Sequence, residues 1–131
     1  MPEFPALGHV AVTVTDLSTS ASWYRQLFGA EPALDEDTGP FHHIVWALGG
    51  TLFGIHQHTQ PATDAPFDEH RVGLDHVSFG VADREALSAW QAHLESLGIE
   101  HGGIVDASYG SGLSFRDPDN IALEFFCPPA G

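Results

Sequence analysis

Basic residues are scarce in this chain: four Lys and Arg stand against 18 Asp and Glu, for a formal net charge of −14. Phosphate neutralisation needs clustered cations, so nucleic-acid binding is not expected. Cysteine is limited to Cys127, which rules out an intramolecular disulfide and fits a reducing cytoplasm. No apolar run approaches the ~18 residues that a membrane span needs. The opening Met1-Pro2-Glu3-Phe4-Pro5 has neither a basic region nor an apolar core, so a secretory signal is not expected and the cytoplasm is the expected compartment. The acid excess is compatible with plain solubility or with attraction of a cationic small molecule, and net charge alone does not locate a site.

What is present reads as one domain by size. The chain has 131 residues, 43% of them hydrophobic and 17% charged, as in ordinary soluble proteins. A chain of this size buries about two-thirds of its surface on folding. Its main internal feature is a repeat. Gly8-His9-Val10-Ala11-Val12-Thr13-Val14-Thr15-Asp16 returns as Asp75-His76-Val77-Ser78-Phe79-Gly80-Val81-Ala82-Asp83. His9 and His76 are 67 positions apart (76 − 9 = 67), and the same offset joins Asp16 to Asp83, Trp23 to Trp90 and Leu27 to Leu94. Each phrase alternates apolar residues like a strand and closes on an aspartate suited to cap a helix.

The elements follow from these signals. A first strand over 9–14 leads to a helix capped by Asp16 or Ser18 and ended by Gly29, with Leu17, Ala21, Tyr24, Leu27 and Phe28 on its apolar stripe. Further strands are expected near 31–34, over 43–48 and over 51–57, with Gly49-Gly50 as a hairpin turn. Residues 59–73, rich in Pro and acids, read as a linker. The second helix is expected over 83–97, carrying Leu87, Trp90, Leu94 and Leu97 on one face. Strands near 102–105, over 113–116 and over 121–126 complete the pattern, the last two joined by the turn Asp117-Pro118-Asp119-Asn120. The fold class is therefore α+β. Two β-α-β-β-β modules, about 7–58 and 74–126, are expected to form a curved eight-stranded mixed sheet with the helices outside.

Strand alternation picks out candidate site residues. Val10, Val12 and Val14 share the face packed under the helix, so His9 points to the opposite face. The same parity separates Val77, Phe79 and Val81 from His76, Ser78 and Gly80. In the last strand Leu123 and Phe125 go under the helix, while Ala122, Glu124 and Phe126 go to the opposite face. Two histidines and a carboxylate form the donor set of catalytic Zn²⁺ and non-haem Fe²⁺ sites.

These motifs, with Phe115-Arg116-Asp117-Pro118-Asp119-Asn120 and Leu123-Glu124-Phe125, resemble the vicinal oxygen chelate superfamily of glyoxalase, bleomycin-resistance and extradiol-dioxygenase proteins. The resemblance covers nearly the whole chain. It implies a glyoxalase-like fold and a divalent metal (Zn, Fe, Ni or Mn) held by His9, His76 and Glu124. The family's fourth ligand position falls near Gly54 to His56. Glycine offers no ligand, and His56 on the same face is open to three roles: fourth ligand, general base or polar strand-end residue. The resemblance further implies a small oxygenated substrate, with Lewis-acid chemistry on neighbouring oxygens. A glyoxalase-like lyase or isomerase is the leading reading, with Glu124 as ligand and proton shuttle. An extradiol-type dioxygenase and a non-enzymatic, acidic drug-binding dimer are the alternatives. The missing carboxylate at position 54 and the four arginines count against ordinary glyoxalase I activity on an anionic thiol conjugate.

Tyr109 is a candidate substrate contact, because family members often carry an aromatic residue before the last hairpin. Trp46 and Phe126 are weaker candidates, since core aromatics are commoner. His42, His43, His58, His70 and His101 read as solvated, although one of His42 and His43 can face the cleft. Cys127 has no adjacent base and is not proposed as a nucleophile. A homodimer is expected, because small sheets leave edges to be covered.

Overall fold

In the computed structural model, which describes residues 1–130, the chain divides into two units, 1–64 and 65–131. The first unit contains β1 (His9–Thr13), α1 (Leu17–Phe28), β2 (Leu34–Asp37), β3 (Phe41–Leu48) and β4 (Thr51–His58). The second contains β5 (Val77–Gly80), α2 (Arg84–Ser96), β6 (His101–Ala107), β7 (Gly110–Arg116) and β8 (Ala122–Cys127). Each unit is a four-stranded mixed sheet with one helix, ordered β1-β4-β3-β2 in one and β5-β8-β7-β6 in the other. In both, the first strand runs parallel to the last and the remaining pairs are antiparallel. No described helix is long and apolar enough to cross a membrane.

The helices begin where a side-chain oxygen satisfies an otherwise unpaired backbone donor. Asp16 Oδ1 accepts from the Thr19 N–H at 3.1 Å, and Asp83 Oδ1 from the Ala86 N–H at 2.8 Å. Gly29 ends α1 in a left-handed conformation, φ 62°. The buried face of α1 presents Leu17, Ala21, Tyr24 and Leu27 to a core that includes Val12, Val14, Ile44, Trp46, Phe53 and Ile55. In the second unit Leu87 and Leu94 are fully buried, and Trp90 stacks on Phe125 at 4.3 Å. The expected helix-side sets of β1, β4 and β8 are therefore the ones that pack inward.

Ser20 sits on the same buried face, 1% exposed, and its hydroxyl has no hydrogen-bond partner among the described residues. A buried unpaired hydroxyl costs stability, and alanine is the better helix former. Ser20→Ala is expected to stabilise the protein by about 1 kcal/mol. The check is a urea unfolding midpoint that moves up at unchanged slope.

Several strand limits differ from those read off the sequence. The strand expected near 31–34 lies at Leu34–Asp37, where Asp35, Glu36 and Asp37 carry no β signal of their own. Pairing with β3 creates this strand, and its acidic composition suits a sheet edge that must not recruit another strand. β6 runs longer than expected, because an irregularity between His101 and Ile104 passes the chain through Gly103 at φ 75°. β7 begins three residues early, at Gly110.

The turn after β7 forms as its residues suggest. The Asp117 carboxylate accepts from the Asp119 and Ile121 N–H groups at 2.9 and 2.8 Å, and Asn120 takes φ 65°. This turn also anchors the preceding segment. The Phe67 N–H donates to the Asp119 carbonyl at 2.8 Å, and Asn120 Nδ2 donates to the Phe67 carbonyl at 3.0 Å. Arg116 donates to both carboxylate oxygens of Glu69, at 2.8 and 3.0 Å, and so holds the Glu69 carboxyl down at about 2. A depressed carboxyl pKa stabilises the fold above the ordinary carboxyl range and loses that effect as pH falls toward the folded value. Protection of the amides around Phe67, taken relative to the intrinsic exchange rate at each pH, is therefore expected to fall between pH 4.5 and about 2. Glu69→Gln should show no such acid-dependent change.

Candidate metal centre

The register aligns the two units row by row. Ala11 lies opposite Gly54 and Val45 in the first sheet; Ser78 lies opposite Glu124 and Ser114 in the second. Ala11 and Ser78 are equivalent in the repeat, so Gly54 occupies the position that Glu124 occupies in the other unit. The next row holds Thr13, His56, His43 and Glu36 in one sheet, and Gly80, Phe126 and Gly112 in the other. The first unit thus has glycine where the second has a carboxylate in one row, and two imidazoles in the next.

In the second unit the expected partners meet. His76 Nδ1 lies 2.7 Å from Asp75 Oδ1, and His76 Nε2 lies 3.7 Å from Glu124 Oε1. Ser78 Oγ donates to the same Glu124 oxygen at 3.0 Å. A carboxylate on one imidazole nitrogen fixes the tautomer and leaves the other nitrogen as a lone-pair donor. A cation bonded at about 2.1 Å to each atom spans up to about 4.2 Å, so the His76–Glu124 gap admits one ion. The donor types fit a borderline divalent metal.

Two glycines that sequence reading passed over make this arrangement possible. A Cβ on Gly112 would lie 3.2 Å from Glu124 Oε2, and a Cβ on Gly110 would lie 2.2 Å from Phe126 Cζ. The alternating glycines of Ser108-Tyr109-Gly110-Ser111-Gly112 were the available signal, since glycine inside a strand often marks a close approach. Tyr109 is 74% exposed and lies parallel to Phe126, with ring centroids 6.1 Å apart.

In the first unit His56 is half-buried on the face away from α1. Phe41 stacks on it at 4.8 Å, and His43 meets it edge-on at 5.0 Å. Its Nε2 lies 3.8 Å from where a Cβ on Gly54 would be, so the ring leans into the emptied row. Desolvation lowers the His56 pKa, and the His43, His58 and His9 imidazoles lower it further. The neutral ring of a general base is favoured at neutral pH. His9 is exposed on the same face of β1, opposite Leu52.

Other sequence candidates fall elsewhere. Trp46 does not line a site: it is 0% exposed beneath α1, its rings against Tyr24 and Phe28, and its Nε1–H donates to the Ala30 carbonyl at 3.1 Å. The parity of β3 explains this, because Ile44 and Trp46 share the helix face while His43 and Val45 share the other. His43, not His42, therefore accompanies His56; His42 pairs with Asp35. Nor is His101 solvated. Its side chain is 13% exposed, with Nε2 3.1 Å from Glu95 Oε1 and Nδ1 accepting from the Gly103 N–H. His70 is exposed as expected and pairs with Asp68. Asp68, Glu69 and His70 form a cluster of metal-ligand type among the described residues, but Glu69 is taken by Arg116 and Asp68 by His70. Cys127 is buried.

Few cations are free near these faces. Arg25 pairs with Glu31, Arg84 with Asp106 and Arg116 with Glu69, at 3.0, 3.0 and 2.8 Å. Arg71 is exposed and outside the sheets.

Comparison with known proteins extends this geometry. The chain is 34% identical over 123 residues to MhqA of Bacillus subtilis (strain 168), named as a ring-cleaving dioxygenase; the match covers 92% of the chain but only 39% of MhqA. It is 24% identical over 121 residues to the metallothiol transferase FosB of Staphylococcus saprophyticus, covering 91% of the chain and 74% of FosB. The crystal structure of a glyoxylase/bleomycin resistance protein/dioxygenase domain from Frankia sp. EAN1pec superposes with a TM-score of 0.88 at 32% identity, covering 98% of this chain and 96% of that one. The family model for the Glyoxalase/Bleomycin resistance protein/Dioxygenase superfamily matches residues 6–125, and the chain belongs to that superfamily.

Proposed function

We propose that the chain is a metal-dependent enzyme of ring-cleaving dioxygenase type, with His9, His76 and Glu124 as the protein ligands and His56 as a general base. The observation that carries the reading is the His76–Glu124 pair, already oriented by Asp75 and Ser78 with His76 Nε2 turned toward Glu124. His9 joins the set by its equivalence to His76 in the repeat. When bound there, a divalent cation supplies Lewis acidity and a template for two neighbouring oxygens. Two histidines and one carboxylate with open positions suit Fe²⁺ in particular. The likeness to MhqA favours oxygen chemistry. Gly54 disfavours the lyase reading, because a mechanism that uses two carboxylates has no second one here.

The residues divide the work. Asp75 keeps His76 in one tautomer, and Ser78 holds one oxygen of Glu124. His56 accepts the proton that a dihydroxyaromatic substrate loses on binding. Tyr109 and Phe126 offer parallel rings to an aromatic substrate. In the reaction a carbon–carbon bond beside a hydroxylated carbon breaks, and both atoms of O₂ enter the ring-opened product, so no further reductant is consumed. A homodimer and a cytoplasmic setting complete the proposal.

The test uses full-length protein stripped of metal and reloaded with Fe²⁺, Mn²⁺, Zn²⁺ or Ni²⁺. One ion per chain is expected, together with oxygen uptake matching ring opening when Fe²⁺-loaded protein meets catechol or hydroquinone as probe. Protein that binds none of these ions would overturn the reading. His56→Ala is expected to retain metal and to lose roughly 10²–10⁴-fold in turnover, the range of general-base catalysis. Loss of metal instead would make His56 a fourth ligand.

A further inference from the structure

Glu36, His43 and His56 stand in one row across β2, β3 and β4, Glu36 opposite His43 and His43 opposite His56. The His43 Nε2 is buried and has no hydrogen-bond partner among the described residues. Glu36 Oε2 lies 3.6 Å from it, just beyond the hydrogen-bond range of about 3.2 Å. The Glu36 side chain is more than half exposed, so a small rotation closes the gap. The neighbouring acid follows the same pattern, Asp35 pairing with His42 on the other face. The acidic edge strand thus sets its carboxylates against consecutive histidines of β3. His43 in turn stands edge-on to His56 and to Phe41, while Phe41 stacks on His56.

We propose that Glu36 and His43 are a positioning pair for His56: Glu36 accepts a hydrogen bond from His43 Nε2–H, and the His43 ring so fixed, with Phe41, holds His56 over Gly54. The proposal rests on the reading of His56 as the group that faces the reacting centre. A carboxylate on Nε2 places the His43 proton there and leaves Nδ1 as the acceptor. The second unit uses the same device with the nitrogens exchanged, since Asp75 holds Nδ1 of His76. Neither Glu36 nor His43 need touch substrate. Their effect is on where the His56 ring stays.

The test is nitrogen-15 NMR of the histidine side chains in the full chain without added metal. Wild-type protein is expected to show His43 in one tautomer, protonated at Nε2, and His56 in a single narrow environment. In Glu36→Ala the His43 shifts should move toward the average of two tautomers, and the His56 signals should shift or broaden. Glu36→Gln, whose amide oxygen still accepts a hydrogen bond, should restore the wild-type pattern. His43→Ala should disturb His56 more than Glu36→Ala does. Unchanged His43 and His56 spectra in Glu36→Ala, or a Gln variant that behaves like Ala, would overturn the pair. Because no metal is used, that result leaves the cation site standing. Wild-type protein that binds no metal would instead defeat the cation site and leave this readout intact.

Discussion

Glu124→Ala is expected to lose more than about 100-fold in metal affinity, because losing a ligand costs more than the 10–100-fold typical of an outer-shell partner. The carboxylate stands 3.7 Å from His76 Nε2, and its loss would leave the second unit with one ligand in place of two. Ser78→Ala removes the 3.0 Å hydrogen bond to Glu124 but no ligand, so its loss should stay near ten-fold. His101→Ala should leave affinity unchanged, since that ring is engaged with Glu95 and Gly103. Titration of each metal-free variant with Mn²⁺ or Zn²⁺ checks the order. Wild-type affinity in Glu124→Ala would make Glu124 an ordinary strand glutamate.

The largest stability effect is expected at Gly110. Its φ is 144°, and an added Cβ would lie 2.2 Å from Phe126 Cζ and 2.4 Å from the Cys127 carbonyl oxygen. The Phe126 ring can turn aside, but the Cys127 oxygen belongs to the backbone of the neighbouring strand. Relief therefore requires opening the β7–β8 ladder where Ser111 faces Cys127. Backbone strain and overpacking each cost roughly 1–3 kcal/mol, so Gly110→Ala is expected to cost about 3–5 kcal/mol. Gly112→Ala is the contrasting case. Its Cβ would meet only the movable tip of Glu124, at 3.2 Å, with no positive φ. Its stability should change by less than about 1 kcal/mol, while its metal affinity falls as the carboxylate is displaced. Urea unfolding of both variants separates the two effects. Equal midpoints would show that the close approach at Gly110 is not structural.

The sequence by itself determined what depends on near neighbours along the chain. The period-two alternation of Val10, Val12 and Val14 placed His9 on the face away from the helix, and Leu123 and Phe125 did the same for Glu124. Asp83 marked the second helix start, and Asp16 or Ser18 the first, because capping needs only a side-chain oxygen near an unpaired N–H; the structure selects Asp16. Asn120 marked a left-handed turn for an equally local reason. Tertiary structure alone decided which residues meet across strands. β2 exists through its pairing with β3, although Asp35, Glu36 and Asp37 have no preference for extended chain. Trp46 was assigned to the core, and His43 to the company of His56, by the face that β3 turns toward α1. The register alone brought Ser78 to the Glu124 carboxylate, whereas Gly54 as the counterpart of Glu124 was already legible from matching the strand ends of the two modules. Alternation tells a side chain which face it occupies. The partner on that face comes from strands distant in sequence, whose offset depends on turns, bulges and core packing acting together.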